Sequence, residues 1–190
     1  MRAESGRPRH GLPAEPWRSF LNALDERLTS SHELHCIGGF VVTQHYGISS
    51  RETSDIDFLS VVSEYSTEDI ESIAGLKSEL HRRYRLYMQR VTVTTAPADY
   101  EKRLAAMFSD AQWKHLRLFA LDPHDLALSK LERNAERDRE DVLALARAGY
   151  LDAKALRERY ENEQRPYLLG EPSRHDLTIE LWIEMCWPSA

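Results

Sequence analysis

Cys36-Ile37-Gly38-Gly39-Phe40, followed across a polar segment by Thr53-Ser54-Asp55-Ile56-Asp57-Phe58, is the stretch whose reading decides the fold. Leu34 to Ile37 is a short apolar run and predicts a buried strand. It stops at Gly38-Gly39, where the chain can turn sharply and enter a short helix over 40–45. Residues 47–54 are polar and read as a loop. From Asp55 to Val62 polar and apolar residues first alternate and then give way to an apolar run, which predicts a central strand. Two aspartates at i and i+2 on a strand project to one side of the sheet.

Two carboxylates crowded on one face repel each other unless a cation neutralises them. Asp55 and Asp57 are therefore candidate metal ligands. Mg²⁺ suits them best, since it takes a few carboxylate oxygens and completes its shell with water and phosphate; Mn²⁺ is the alternative. A Gly-Gly turn lets backbone amides approach a triphosphate with no Cβ in the way, so Gly38 and Gly39 are candidate nucleotide-binding positions. Arg51, in the loop just before the aspartates, is a candidate substrate contact, with Ser49 and Ser50 beside it. These are the parts of a metal-dependent nucleotidyl transfer. A lone Asp-x-Asp also occurs on ordinary strand edges; the ordered set of strand, Gly-Gly, helix, loop and acidic strand is much more specific.

Working outward, residues 1–14 are polar and read as a flexible tail. Trp17, Phe20, Leu21, Leu24 and Leu28 recur at helical spacing. After the acidic strand, Ser66 or Thr67 can cap one helix whose buried stripe is Ile70, Ile73, Leu76, Leu80 and Tyr84. Residues 86–94 predict a strand, 100–107 a short helix and 116–120 a last strand. From Asp122 onward the pattern is helical: Asp122-Pro123 is a cap followed by Pro in the first turn. A second helix over 138–148 ends at Gly149, Asp152 caps a third, and residues 175–187 form a final amphipathic helix with Leu177, Leu181, Trp182 and Met185. The expected class is α+β: a small mixed β-sheet flanked by helices over 15–120, a helical region over 121–165 and a C-terminal tail over 166–190.

The chain has 190 residues, 42% of them apolar and 29% charged, with a formal net charge of −6. That is enough apolar matter for a sizeable core, and the negative balance argues against a protein that coats nucleic acid non-specifically. Cys36 and Cys186 are isolated, without zinc-ligand spacing, and suit a reducing compartment. The N-terminus lacks the apolar run of a signal peptide, and no stretch approaches the ~20 apolar residues of a membrane span. A cytoplasmic protein without membrane attachment is expected. His32, His35 and His45 show no ligand spacing and read as structural.

The ordered set around Asp55 and Asp57 resembles the nucleotidyltransferase superfamily of the polymerase-beta type. A second cluster narrows the resemblance: Leu121-Asp122-Pro123-His124-Asp125-Leu126-Ala127-Leu128-Ser129-Lys130, then Arg137-Asp138-Arg139-Glu140-Asp141. It is similar to the Lys…Arg-Asp-x-x-Asp motif of AbiEii-type nucleotidyltransferases, toxins of toxin–antitoxin and phage-defence pairs, and to a related family of short bacterial nucleotidyltransferase-like proteins. The resemblance covers roughly residues 34–160. It implies that Lys130 and Asp138 join the catalytic set, Lys130 meeting the nucleotide and Asp138 supplying a further acid, with Arg137 and Asp141 as neighbours. The bland alternative is a solvated charge run with pairs such as Arg137–Asp141.

One departure matters. The superfamily places a third carboxylate on a later strand, and residues 86–95 contain none; Thr92 and Thr94 stand at the expected positions. The leading expectation is an enzyme that moves a nucleoside monophosphate from a nucleoside triphosphate to an acceptor hydroxyl of RNA (tRNA by the resemblance), protein or a small molecule, with a cognate antitoxin as the implied partner. The competing class is a catalytically silent protein that keeps the fold as a binding or regulatory scaffold.

Overall fold

A computed structural model describes residues 11–48, 52–62, 69–92 and 94–188. Residues 1–10 of the expected tail, the expected caps Ser66 and Thr67, and the loop residues Ser49, Ser50 and Arg51 lie outside the described residues. The chain divides into two compact units: among the described residues, one comprises 11–92 with 104–120 and the other 94–103 with 121–188.

The first unit is built on a mixed five-stranded sheet. Its opening helix, α1 (Trp17–Asp25), buries Trp17, Phe20, Leu21 and Leu24, with Leu28 beyond its end, on the face that the helical spacing predicts. Asp25, the buried last residue of the helix, ties it to a distant segment. Its carboxylate accepts the backbone amides of Lys114, His115 and Leu116 at 2.8–2.9 Å. Charge-assisted bonds of this kind are among the stronger hydrogen bonds in a fold, and these hold the start of the last long strand. Strand β1 (His32–Ile37) leads into α2 (Gly38–Phe40), which continues as a π-helical turn over Val41–His45. Strand β2 (Asp55–Val62) has the bounds that the alternation predicts.

The single helix expected after β2 is two, α3 (Ile70–Ala74) and α4 (Glu79–Tyr84). Each has its own cap: Asp69 accepts from the Glu71 amide, and Ser78 from the His81 amide. Gly75 terminates the first with an extended backbone, and a Cβ there would lie 2.3 Å from the Glu71 carbonyl oxygen. Leu76 therefore falls in the break and is 60% exposed rather than part of the buried stripe. The periodicity runs on through the break because Leu80 and Tyr84 resume it from a second cap.

Strand β3 (Tyr87–Arg90) is shorter than expected. Thr94 and Thr95 belong to the other unit, where the Thr94 hydroxyl donates to the Ser129 carbonyl and the Thr95 amide to Glu132. The expected helix over 100–107 is one 3₁₀ turn (Tyr100–Arg103), followed by a two-residue strand, β4 (Ala105–Ala106). Strand β5 (Leu116–Ala120) falls where expected. The strand order is β3-β2-β1-β5-β4, with β1 antiparallel to β2 and parallel to β5, β2 parallel to β3, and β4 antiparallel to β5.

The second unit is helical: α5 (Pro123–Leu128), α6 (Glu136–Arg147), α7 (Ala153–Arg159) and α8 (Pro172–Cys186), with a π-helical turn over Tyr160–Gln164 and a 3₁₀ turn over Arg165–Tyr167 before α8. Asp122 and Asp152 cap α5 and α7 as their positions predict, and Gly149 stands at φ +79° past the end of α6. The unit's polar centre is Asp125, fully buried, which receives Arg103 through two nitrogens at 2.8 and 3.0 Å and Arg159 at 3.0 Å. Helix α8 turns His175, Thr178, Ile179 and Trp182 inward, while Leu177 and Leu181 are exposed. Trp182 settles that rotation, since its indole N–H donates to Asn134 at 3.1 Å. The expectation that Leu177 and Leu181 share its buried face is thereby corrected. No helix among the described residues is long and apolar enough to cross a membrane.

Asp122 makes the helical unit acid-sensitive. Burial alone would raise its pKa, but the His124 hydrogen bonds and the Arg159 guanidinium outweigh that and bring it from 3.8 to about 2. A carboxylate depressed in the folded state stabilises above its unfolded pKa and loses that contribution as pH falls through the folded one. The expected outcome is a loss on the order of 2 kcal/mol between about pH 4 and pH 2. Denaturant midpoints measured across that range should show an acid limb that is shallower in Asp122→Asn; an identical limb in the variant would contradict this assignment.

Candidate active site

The site begins with a register. β1 and β2 run antiparallel, so the end of β1 lies over the start of β2, and Ile37 pairs with Asp57. Between Leu34 and Cys36 the ladder slips: β1 advances from 34 to 36 while its partner moves from Val61 to Phe58. Irregularities of this kind bend a strand and re-aim its side chains. Beyond the paired Ile37 the chain turns at Gly38, whose φ is +74°. A Cβ on Gly38 would stand 2.6 Å from the Asp57 Oδ2. Both demands, left-handed backbone and close approach to a carboxylate, select glycine. The Gly-Gly turn and the acidic pair, separated in sequence, are thus brought into contact.

Asp55 and Asp57 are half-buried on one face of β2, while Ile56 and Phe58 point into the core. The Thr53 hydroxyl donates to Asp55 Oδ1 at 2.7 Å, and the Tyr87 hydroxyl to Oδ2 at 3.4 Å. Both oxygens of Asp55 are oriented by neutral donors, which add no charge to compete with a cation. Burial, followed by the charge of Asp55, its hydrogen bond and the charge of Asp57, raises the Tyr87 pKa, so the phenol stays protonated and remains a donor. Carboxylate oxygens on one face, aimed by hydroxyls and approached by bare backbone, are a donor set that fits a hard divalent cation.

The second motif lies in the helical unit. Lys130 follows α5, Asn134 takes a positive φ of 44° in the link, and Asp138 and Asp141 stand on α6. Lys130 is 4% exposed and Asp138 is fully buried. The Lys130 ammonium is 2.9 Å from Asp141 and 3.8 Å from Asp138. Arg133 grips Asp138 through two nitrogens, and the Ala135 amide donates to it at 2.9 Å. Burial raises the Asp138 pKa, and the Arg133 hydrogen bonds more than reverse that, so its carboxyl sits below the usual range. Asp141 is thus a partner of Lys130 rather than only of a surface arginine such as Arg137. The Arg139 guanidinium bonds locally to Asn134, which is a surface role.

Thr53 and Gln89 stand beside the acidic pair without having been named from the sequence, and Tyr87, which reads from the sequence as a core or rim residue, contacts Asp55. β2 and β3 are parallel, with Asp55 opposite Tyr87 and Asp57 opposite Gln89. The neighbour of Asp57 on the next strand is therefore Gln89; Thr92 and Thr94 lie beyond the last residue of β3. Strand pairing sets this assignment, and no local signal announces it. Among the described residues no third His, Cys, Asp or Glu joins the pair in a group placed to hold a metal.

A mixed sheet flanked by helices, with a turn at the end of one strand set against an acidic pair on its antiparallel neighbour and a helical region following, is a nucleotidyltransferase fold. Residues 19–185 match the family described as nucleotidyltransferase of unknown function (DUF6036), and the chain belongs to that family. Comparison with curated proteins and with solved structures returns no match.

Two outcomes follow from this geometry. Gly38→Ala should destabilise by about 1–2 kcal/mol from the left-handed backbone alone, with the contact to Asp57 in addition, whereas Gly39→Ala should cost less. Equal denaturant midpoints for the two variants would show that the close approach is not present. Asp138→Ala removes the acceptor of the Ala135 amide and one of the two carboxylates beside the buried Lys130, and should cost about 3 kcal/mol; a melting temperature unchanged from wild type would mean that the cluster is not buried as described.

Proposed function

We propose that this protein transfers a nucleoside monophosphate from a nucleoside triphosphate to an acceptor hydroxyl. The observation that carries the reading is the contact between Gly38 and Asp57, which sets bare backbone and two co-facial carboxylates within one small space. Asp55 and Asp57 would hold the divalent cation, Mg²⁺ or Mn²⁺. When bound, the ion supplies the positive charge that a triphosphate requires in order to approach two carboxylates, and it stabilises charge developing on the leaving pyrophosphate. The chain's own part is positional. Thr53 and Tyr87 aim Asp55, and the Gly38-Gly39 backbone takes up the phosphates without a side chain in the way.

The acceptor in this reading is RNA, and a run of basic residues supports it. His81, Arg82, Arg83, Arg85 and Arg90 lie on and beside α4 and β3, and no Asp or Glu occurs from 80 to 98. The four arginines are exposed. In a chain of net charge −6 this is a local concentration of guanidinium groups, three on α4 and its C-cap and one, Arg90, on the edge strand β3 beside the acidic strand. Such groups pair with backbone phosphates. Through the resemblance of residues 121–141 to AbiEii-type toxins, the reading extends to a toxin role with a cognate antitoxin. Lys130 and Asp138 would contribute as that motif does, from within the cluster described above.

The test is incubation with each labelled nucleoside triphosphate, Mg²⁺ and a cell extract, followed by separation of RNA, protein and small molecules. Label should enter RNA, and Asp55→Asn and Asp57→Asn should each reduce incorporation by at least a hundredfold while circular dichroism stays unchanged. Wild-type rates in both variants would remove the acidic pair from the chemistry. A wild-type protein that binds no triphosphate by calorimetry, with or without Mg²⁺, would favour the silent-scaffold alternative instead.

A further inference from the structure

Helix α8 buries one face and presents another to solvent. His175, Thr178, Ile179 and Trp182 point inward, while Leu177 and Leu181 are 61% and 53% exposed. Arg174 and Glu184, both exposed, complete a row at 174, 177, 181 and 184. Spacings of three, four and three residues place all four on one stripe of the helix. The acids beside this stripe are already engaged: Arg165 and the Tyr160 hydroxyl hold Asp176, and Arg157 holds Glu180. Arg174 and Glu184 make no ion pair among the described residues.

Leu177 and Leu181 stand two residues to either side of Ile179, and Arg174 and Glu184 stand five residues to either side of it. A row with that symmetry complements itself when turned end for end. Laid antiparallel against a second copy about a two-fold axis, Leu177 meets Leu181 of the other copy and Arg174 meets its Glu184, and each contact occurs twice. Laid parallel, the same row sets arginine against arginine and glutamate against glutamate. We infer that the exposed face of α8 is a self-association surface, through which two copies of this chain pack their α8 helices antiparallel. The leucines supply the apolar contact. Ion pairs at the rim add little energy; their part is to fix direction and register. One helix face per copy buries less than the ~1,200 Å² in total that a stable complex commonly needs, so the dimer is weak and depends on concentration.

The experiment is sedimentation velocity on the full chain over a series from about 1 µM to about 500 µM, a span that brackets weak association, with circular dichroism to confirm that each variant is folded. The average mass of wild type should climb from 22.0 kDa toward twice that value. Leu181→Glu should stay at monomer mass throughout, because by symmetry one substitution removes both leucine contacts. Arg174→Glu and Glu184→Arg should each weaken association about tenfold, since each sets like charges together at two places. The double variant Arg174→Glu/Glu184→Arg should recover wild-type association, because the pairs re-form with their signs exchanged. A wild type that stays monomeric at every concentration would overturn the inference and leave the face to a different protein. A dimer that persists in Leu181→Glu would place the contact elsewhere and overturn it as well. A double variant no better than the single ones would overturn the antiparallel register.

Discussion

The approach of Gly38 to Asp57 is the constraint on which the candidate site depends. It arises because β1 runs antiparallel to β2, so the turn that ends one strand must lie over the start of the other. A side chain at residue 38 would occupy the place of a carboxylate oxygen, and a left-handed backbone there admits glycine with least strain. The same register that closes the sheet thereby sets a bare turn against an acidic pair. Packing reinforces it from below: Ile56 and Phe58, alternating with the aspartates, are fully buried, so β2 cannot rotate its acids away without exposing its core residues.

Charge is handled differently in the two units. In the sheet unit, Asp55 and Asp57 are half-buried, and among the described residues the hydroxyls of Thr53 and Tyr87 donate to Asp55. In the helical unit, buried acids are matched with bases: Asp125 with Arg103 and Arg159, Asp141 with the buried Lys130, and Asp138 with Arg133, which reaches it from the surface. Buried ion pairs of this kind contribute little net stability against an apolar equivalent, yet losing one member is costly. They specify which helices meet. Lys130 and Asp138 are members of that internal lattice, so any part they take in chemistry is joined to a part in folding.

Membership in a nucleotidyltransferase family and the geometry of the acidic strand point the same way. On the next strand, the residue paired with Asp57 is Gln89, a neutral amide.

Much of this was determined by the sequence itself. Local chemistry sufficed for the opening helix, for β2 with its co-facial aspartates, for β5, for the caps at Asp122 and Asp152 and for the stop at Gly149, because each depends on residues within a turn or two of one another. The division of the helix at Gly75 was also written locally, in Gly75 and the Ser78 cap, but the apolar periodicity running across it hid the break. Only the tertiary structure decided the rest. That Tyr87 and Gln89 stand beside Asp55 and Asp57 follows from the pairing of β3 with β2, and strand register is a property of two segments, not one. Thr94 and Thr95 leave the sheet because Ser129 and Glu132 bind them, partners more than thirty positions away. Leu177 and Leu181 face outward because Trp182 finds Asn134. In each case the sequence offered a valid pattern, and a distant hydrogen-bond partner chose among the ways of satisfying it.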